Sequence, residues 1–189
     1  MNHATLPTPS PTIRNGVDVS ALEATLAAIE KQPSLADFRF DLRNQWQGAD
    51  ENRSTIEGFY GAGERHLHAR AFTLDNGEPS FLLGHDRAPN PLQQLRNALA
   101  ACLTTSIAYH AAHRGIEVGS IESSLDGEID LRGSLGIDDS VRRGLRGIRA
   151  RFLIESQADA ETLEQCARMS PVLDSISGSV PVRLEIVTR

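Results

Sequence analysis

Cysteine is nearly absent from the chain: Cys102 and Cys166 are the only two among 189 residues. Neither stands in the close-spaced framework that staples small secreted domains. Both fall in apolar helical runs, so a reducing cytoplasmic setting is expected. Lysine is scarcer still, with Lys31 alone, and the basic charge is otherwise arginine. An excess of positive charge is also missing, since 25 acidic against 19 basic residues leave a net charge of −6. Such a balance argues against holding nucleic acid or an anionic membrane through counterion release. No apolar run approaches the ~20 residues that cross a bilayer, and MNHATLPTPSPTIRNG lacks the layout of a signal peptide. Gly61-Ala62-Gly63 is not continued into GxGxxG, and no GxSxG elbow occurs, so neither a dinucleotide loop nor a serine hydrolase is expected. No cofactor is indicated, and small or neutral molecules are the expected partners.

What is present has the length of one domain with a real core. Pro7, Pro9 and Pro11 suit an extended, poorly ordered arm over residues 1–16. Leu22, Leu26 and Ile29 recur at helical spacing within Ala21–Lys31, with Asp18 or Ser20 as the start and Pro33 as the stop. Three runs of strand character follow, 38–43, 55–60 and 67–74, separated by Gly48-Ala49-Asp50 and Gly61-Ala62-Gly63, with Asp75-Asn76-Gly77 closing the last. An antiparallel meander is the economical arrangement. Asn90-Pro91 then opens a helix of about 24 residues and roughly 36 Å, which Gly115 ends. Its middle, Ala98 to Leu103, is apolar on every side, which predicts burial all round. Strands over 120–131 and 147–155, a helix capped by Asp159, a short turn of helix from Pro171 and a strand over 180–187 complete an α+β order.

Cys102, in the middle of the long helix, is the first chemical candidate, because a thiol becomes a nucleophile once a cation or hydrogen-bond donors lower its pKa. Packing is the competing explanation, since free cysteine is among the most buried residue types. Cys166 sits on the stripe Leu163, Cys166, Ala167, Ser170, and pairing with Cys102 would require Cα atoms within about 7 Å. His66 and His68 share one face of a strand, where His85 or a carboxylate would have to complete a metal site. With no third ligand specified, a solvated strand face is the expectation and no metal is indicated. His110 and His113 are expected to serve the carbonyls at the helix C-terminus. Asn90 with Gln93 fits a capping box, and Ser170 before Pro171 fits a helix cap.

The stretch Gly84-His85-Asp86-Arg87-Ala88-Pro89-Asn90-Pro91-Leu92-Gln93-Gln94-Leu95-Arg96-Asn97-Ala98-Leu99-Ala100-Ala101-Cys102 resembles the signature of the OsmC/Ohr family. The shared features are a Gly-led approach, an Asn-Pro helix start and a cysteine twelve residues after the asparagine. The likeness extends through Tyr109 to Ile116, Asp126 to Asp130, Ser170 to Asp174 and Val180 to Val182, and covers roughly Arg53 to the C-terminus. It implies antiparallel sheets wrapped around a long central helix in an intertwined homodimer. The corresponding division of the chain is an arm and short helix over 1–34 and a single OsmC-like domain over 35–189.

The best-known members of that family reduce organic hydroperoxides: one cysteine attacks the peroxide, an arginine and a glutamate organise it, and a second cysteine resolves the sulfenic acid. Cys102 matches the first cysteine. Arg65 matches the arginine, with Arg53 and Arg70 as alternatives. The glutamate position falls on Leu92 or Gln93, neither of which carries charge, and the resolving position falls on Ser170, with Cys166 one helical turn earlier. Two readings stay open. One is a thiol-dependent protein of peroxide defence, recycled by an outside thiol reductant. The other is a non-catalytic dimer that binds a small apolar ligand at the subunit interface, with Cys102 a wall residue. A partner-binding scaffold has only the proline-rich arm in its favour.

Overall fold

The structure, a computed structural model, describes residues 11–189. The extended arm lies outside the described residues as far as residue 10, but its last part is ordered pairing: β1 (Ile13–Arg14) and β2 (Val17–Asp18) form an antiparallel hairpin. Its turn is made by Asn15 and Gly16, at φ 51° and 76°. Within the described residues the chain resolves into two compact units, one made of the chain up to Thr25 with Ala100–Arg189, the other of Leu26–Leu99. The boundaries fall inside two helices, α1 (Val19–Lys31) and α2 (Pro91–His113).

In Leu26–Leu99 the long strand β5 (Glu51–Gly61) pairs along one edge with β3 (Arg39–Phe40) and β4 (Arg43–Gly48), and along the other with β6 (Glu64–Asn76), all antiparallel. The meander of the sequence analysis therefore has a shared middle strand. Its two tight turns are the expected ones, with Ala49 at φ 44° and Ala62 and Gly63 at φ 49° and 87°. The β5–β6 register shifts between Ile56 and Gly58. A side chain at Gly58 would collide with the backbone carbonyl of His66, so only glycine allows the strands to meet there. On one face Phe38, Phe40, Phe59, His66, His68 and Phe72 form a continuous series of ring contacts, with centroids 4.6–6.1 Å apart.

The other unit is built on β7 (Ile121–Glu128), β8 (Gly147–Ile154) and β9 (Val182–Thr188), in that order. β8 runs antiparallel to β7 but parallel to β9, which corrects the expectation of purely antiparallel sheets. The physical reason is the connection between them. It carries α4 (Ala160–Ala167) and α5 (Pro171–Ser177), long enough to return the chain to the same end of the sheet as parallel pairing requires. Strict alternation in β8 buries Ile148, Ala150, Phe152 and Ile154 and sends Arg149 and Arg151 to solvent. Each large apolar side chain buried in this way contributes about 1.5–3 kcal/mol. α4 packs against β9 and places Leu163, Cys166 and Ala167 in the core. The strand expected over 120–131 stops at Glu128, and a short helix, α3 (Leu131–Ser134), capped by Asp130, follows it.

Candidate functional site

Asn90 and Gln93 fix the start of α2. The Asn90 side chain accepts from the Gln93 backbone N–H at 2.8 Å, and the Gln93 side chain accepts from the Asn90 N–H at 2.8 Å. This is the reciprocal box read from the sequence, with Pro91 at the position where a missing N–H costs nothing. The other end is held by a device the sequence did not reveal. Arg14 donates to the Ala112 carbonyl at 3.0 Å, Asn15 Nδ2 donates to the Ile116 carbonyl at 3.0 Å, and Asn15 Oδ1 accepts from the Val118 N–H at 2.9 Å. Val17, Val19 and Ala112 close into a small apolar cluster beneath these bonds. The terminal carbonyls assigned above to His110 and His113 are served instead by the backbone N–H groups of Arg114, Gly115 and Ile116, with Arg14 adding a bond to Ala112. His110 is pushed below the ordinary histidine range, chiefly by burial and then by the charges of Arg114 and His113.

Cys102 carries a free, half-buried thiol on α2. Leu99, Leu103, Ser106 and Ile107 are buried, whereas Ala98, Ala101, Thr105 and Tyr109 are exposed. At 100° per residue Cys102 stands on the border between those two stripes. The burial on every side predicted for this helix is therefore not met within a single chain.

Cys166 is a free thiol with no exposed surface. Burial pushes its pKa up, against a smaller opposing pull from the Arg114 guanidinium, so it is held protonated. Ser170 is also buried, and its hydroxyl accepts from the Leu173 N–H at 3.2 Å, capping α5 as predicted. Leu92 is half-buried and Gln93 exposed.

The three candidate arginines lie in Leu26–Leu99. Arg65 Nη1 donates to Asp41 Oδ2 at 2.6 Å, and the pair lines an open hollow of about 370 Å³ with Leu42, Arg43, Thr55 and Glu57. Hydrogen bonding from Arg65, with help from Arg39, holds the Asp41 carboxyl below its ordinary range. Arg53 grips Asp75 with two bonds of 2.6 and 3.0 Å. Arg70 is exposed and has no carboxylate within salt-bridge distance among the described residues.

The histidines do not converge. His66 stacks on Phe59 at 4.9 Å and contacts the Gly61 carbonyl at 3.0 Å, and His68 packs on Phe72 at 4.6 Å. His85 instead meets Asp50 across 2.6 Å, Asp50 also accepts the backbone N–H groups of Glu78 and His85, and Arg87 pairs with Glu51 at 3.1 Å. Asp50, Glu51 and His85 form the one metal-type grouping among the described residues. The His85 imidazole and the Arg87 guanidinium already answer its two carboxylates, so it reads as a clamp between the β4–β5 turn and the loop before α2. Nothing in the sequence signals it, because Asp50 and His85 are 35 residues apart.

The profile of the OsmC-like protein family matches residues 84–185, a span that holds α2 with Cys102, β7, β8 and the first part of β9. Solved structures align over most of the chain at low identity. An OsmC-like protein from Mycoplasma pneumoniae superposes with a TM-score of 0.58 and 15% identity over 80% of this chain and 96% of that one. An OsmC-like protein of unknown function from Vibrio cholerae gives 0.59 and 10% over 79% and 99%. An organic hydroperoxide resistance protein, OsmC, from Legionella pneumophila gives 0.51 and 17% over 78% and 96%. No curated protein sequence matches. The mixed α and β architecture is thus shared with solved OsmC-like proteins, and the family profile covers more than half of the chain: the protein belongs to the OsmC-like family.

Proposed function

We propose that the protein reduces organic hydroperoxides through Cys102 as a homodimer of peroxide defence, working in a reducing cytoplasm. The observation that carries this reading is the free thiol of Cys102 at the border of the buried stripe of α2. In the reaction the Cys102 thiolate attacks the peroxide, an S–O bond forms as the O–O bond breaks, and the alkoxide leaves as alcohol after taking a proton. The sulfur is oxidised to sulfenic acid. An outside thiol condenses with it, releasing water, and a second outside thiol frees Cys102 by disulfide exchange. Arg65 stabilises the thiolate and the leaving oxygen. Cys166 has no exposed surface and burial raises its pKa, which favours the outside thiol as the reductant.

The exposed Ala98, Ala101, Thr105 and Tyr109 support self-association through α2, because an apolar helix face left in water is normally covered. Ala101→Glu is expected to convert a dimer to monomer in sedimentation analysis, and an unchanged mass would remove α2 from the interface.

Mass spectrometry of Cys102 after stoichiometric cumene hydroperoxide, with dimedone trapping, tests the chemistry. Rapid sulfenic acid at Cys102, peroxide consumption lost in Cys102→Ser and kept in Cys166→Ser, is the expected result. Inertness of Cys102 favours the second reading, a non-catalytic dimer binding a small apolar ligand. That reading draws on the uncharged Leu92 and Gln93, on Ser170 spent as a helix cap, and on the Arg65 guanidinium engaged by Asp41.

A further inference from the structure

Outside the thiol site, the β8–β9 edge of the Ala100–Arg189 unit carries positive charge that its own carboxylates do not match. Arg149 on β8 stands directly beside Arg183 on β9 in the parallel register. Like charges facing each other across neighbouring strands are unfavourable unless something neutralises them. Arg149 is answered from β7, with Asp126 at 2.8 Å and Glu128 at 3.9 Å. Asp130 is shared by Arg132 at 2.6 Å and Arg146 at 2.8 Å. Arg142 spends its guanidinium on the carbonyls of Leu145 and Ser179. Arg183 is exposed and has no carboxylate within salt-bridge distance among the described residues. Five guanidiniums therefore face three carboxylates. Glu185, the next acidic group on that face, is taken by Arg151 at 3.5 Å.

Arg146, Arg149 and Arg183 line one open groove of about 380 Å³ together with Asp126, Glu128, Gly147, Ile148, Pro181 and Val182. Arg146 and Arg149 are already paired, which leaves Arg183 as the fork of this small-molecule-sized cleft without a carboxylate among the described residues, and arginine engages the oxygens of a phosphate or carboxylate group bidentately. We propose that this groove binds a small metabolite through a dianionic oxyanion group, with Arg183 as the principal anchor and Arg149 as its neighbour. A phosphate ester and a dicarboxylate share this chemistry. The site owes nothing to the thiol, so it stands or falls apart from the peroxide reading.

The test titrates the full chain by calorimetry with inorganic phosphate and, separately, with succinate at low ionic strength. Saturable binding of either probe is expected, and the probe preferred identifies the oxyanion. Arg183→Ala should weaken that binding about tenfold or more, the scale of losing one charge-assisted interaction of about 1.4 kcal/mol. Arg183→Lys, which keeps the charge but not the fork, should fall between. Arg189→Ala, whose guanidinium pairs with Glu122 away from the groove, and Cys102→Ser should both bind as the parent does. Failure of both probes to saturate, or equal binding by the Arg183→Ala and parent proteins, overturns the proposal.

Discussion

Arg65 and Asp41 meet at 2.6 Å, while Arg39 holds the other oxygen of the same carboxylate at 3.1 Å. The guanidinium that sequence likeness assigns to peroxide chemistry is thus partly neutralised. Under the thiol reading, Asp41→Asn frees that charge and should raise the rate of Cys102 sulfenic acid formation several-fold. On the same reading Arg65→Ala should lower it by about an order of magnitude, because a cation placed at the sulfur favours the thiolate. Stopped-flow oxidation of the two variants checks both directions. A rate that neither substitution changes would take Arg65 out of the mechanism.

Gln93 is, with Leu92, one of the two positions on which the family glutamate falls, and its amide already reaches back to the Asn90 N–H at 2.8 Å. Gln93→Glu preserves this reciprocal bond and adds negative charge at a helix N-terminus, a gain of about 0.3–1 kcal/mol. The variant should be at least as stable to urea as the parent. If the missing carboxylate limits peroxide reduction, kcat/KM should rise tenfold or more, within the ~10²–10⁴ range of a positioned acid or base. Higher stability without a change in turnover would assign position 93 to capping alone.

Cys166 lies fully buried in α4 and burial keeps its thiol protonated. Cys166→Ser places a hydroxyl in that packed site and should cost about 1–3 kcal/mol in chemical denaturation, with Cys166→Ala costing less. Peroxide consumption should survive in both. Its loss in either, in protein that remains folded, would return Cys166 to the reaction.

Much of this arrangement could be read in the sequence, because its signals are local. The α2 cap depends on residues three apart, the Asp159 cap on Thr162 likewise, and the alternation of β8 on neighbours. The pairings that long connections decide could not. The parallel β9 edge follows from how the α4–α5 connection returns the chain, and the Asp50–His85 clamp joins segments whose own patterns say only turn and loop. The apolar waist of α2 predicts burial on every side, which the chain leaves unmet at Ala98, Ala101, Thr105 and Tyr109, and periodicity cannot state where a cover for that face would come from. Arg65 was legible by family likeness alone. Its engagement by Asp41 depends on β3 and β6 flanking β5.

The acid limb of stability should report two carboxylates. Hydrogen bonding from Arg132, reinforced by its backbone N–H and by the Arg146 charge, pushes Asp130 down to about 2 from 3.8. The backbone N–H of Glu78 and the contacts of His85 hold Asp50 still further below the ordinary carboxylate range. A carboxyl whose folded pKa is depressed stabilises the fold fully above its unfolded value and loses that contribution as pH falls through the folded one. The stability gap between the parent and Asp130→Asn should therefore be constant above about pH 4 and shrink from 3.8 toward 2. For Asp50→Asn the gap should persist to lower pH. Denaturant midpoints measured across pH 2–6 decide it, and gaps that do not change with pH would contradict the assigned hydrogen bonds.

The bonds from Asn15 to Ile116 and Val118 join positions 101 and 103 residues apart. Closing so wide a loop is entropically expensive and contributes to slow folding. On a ribosome, the first hairpin must wait until the end of the thiol-bearing helix has been synthesised before the two can lock. Asn15 therefore locks only once the chain has been made as far as Val118.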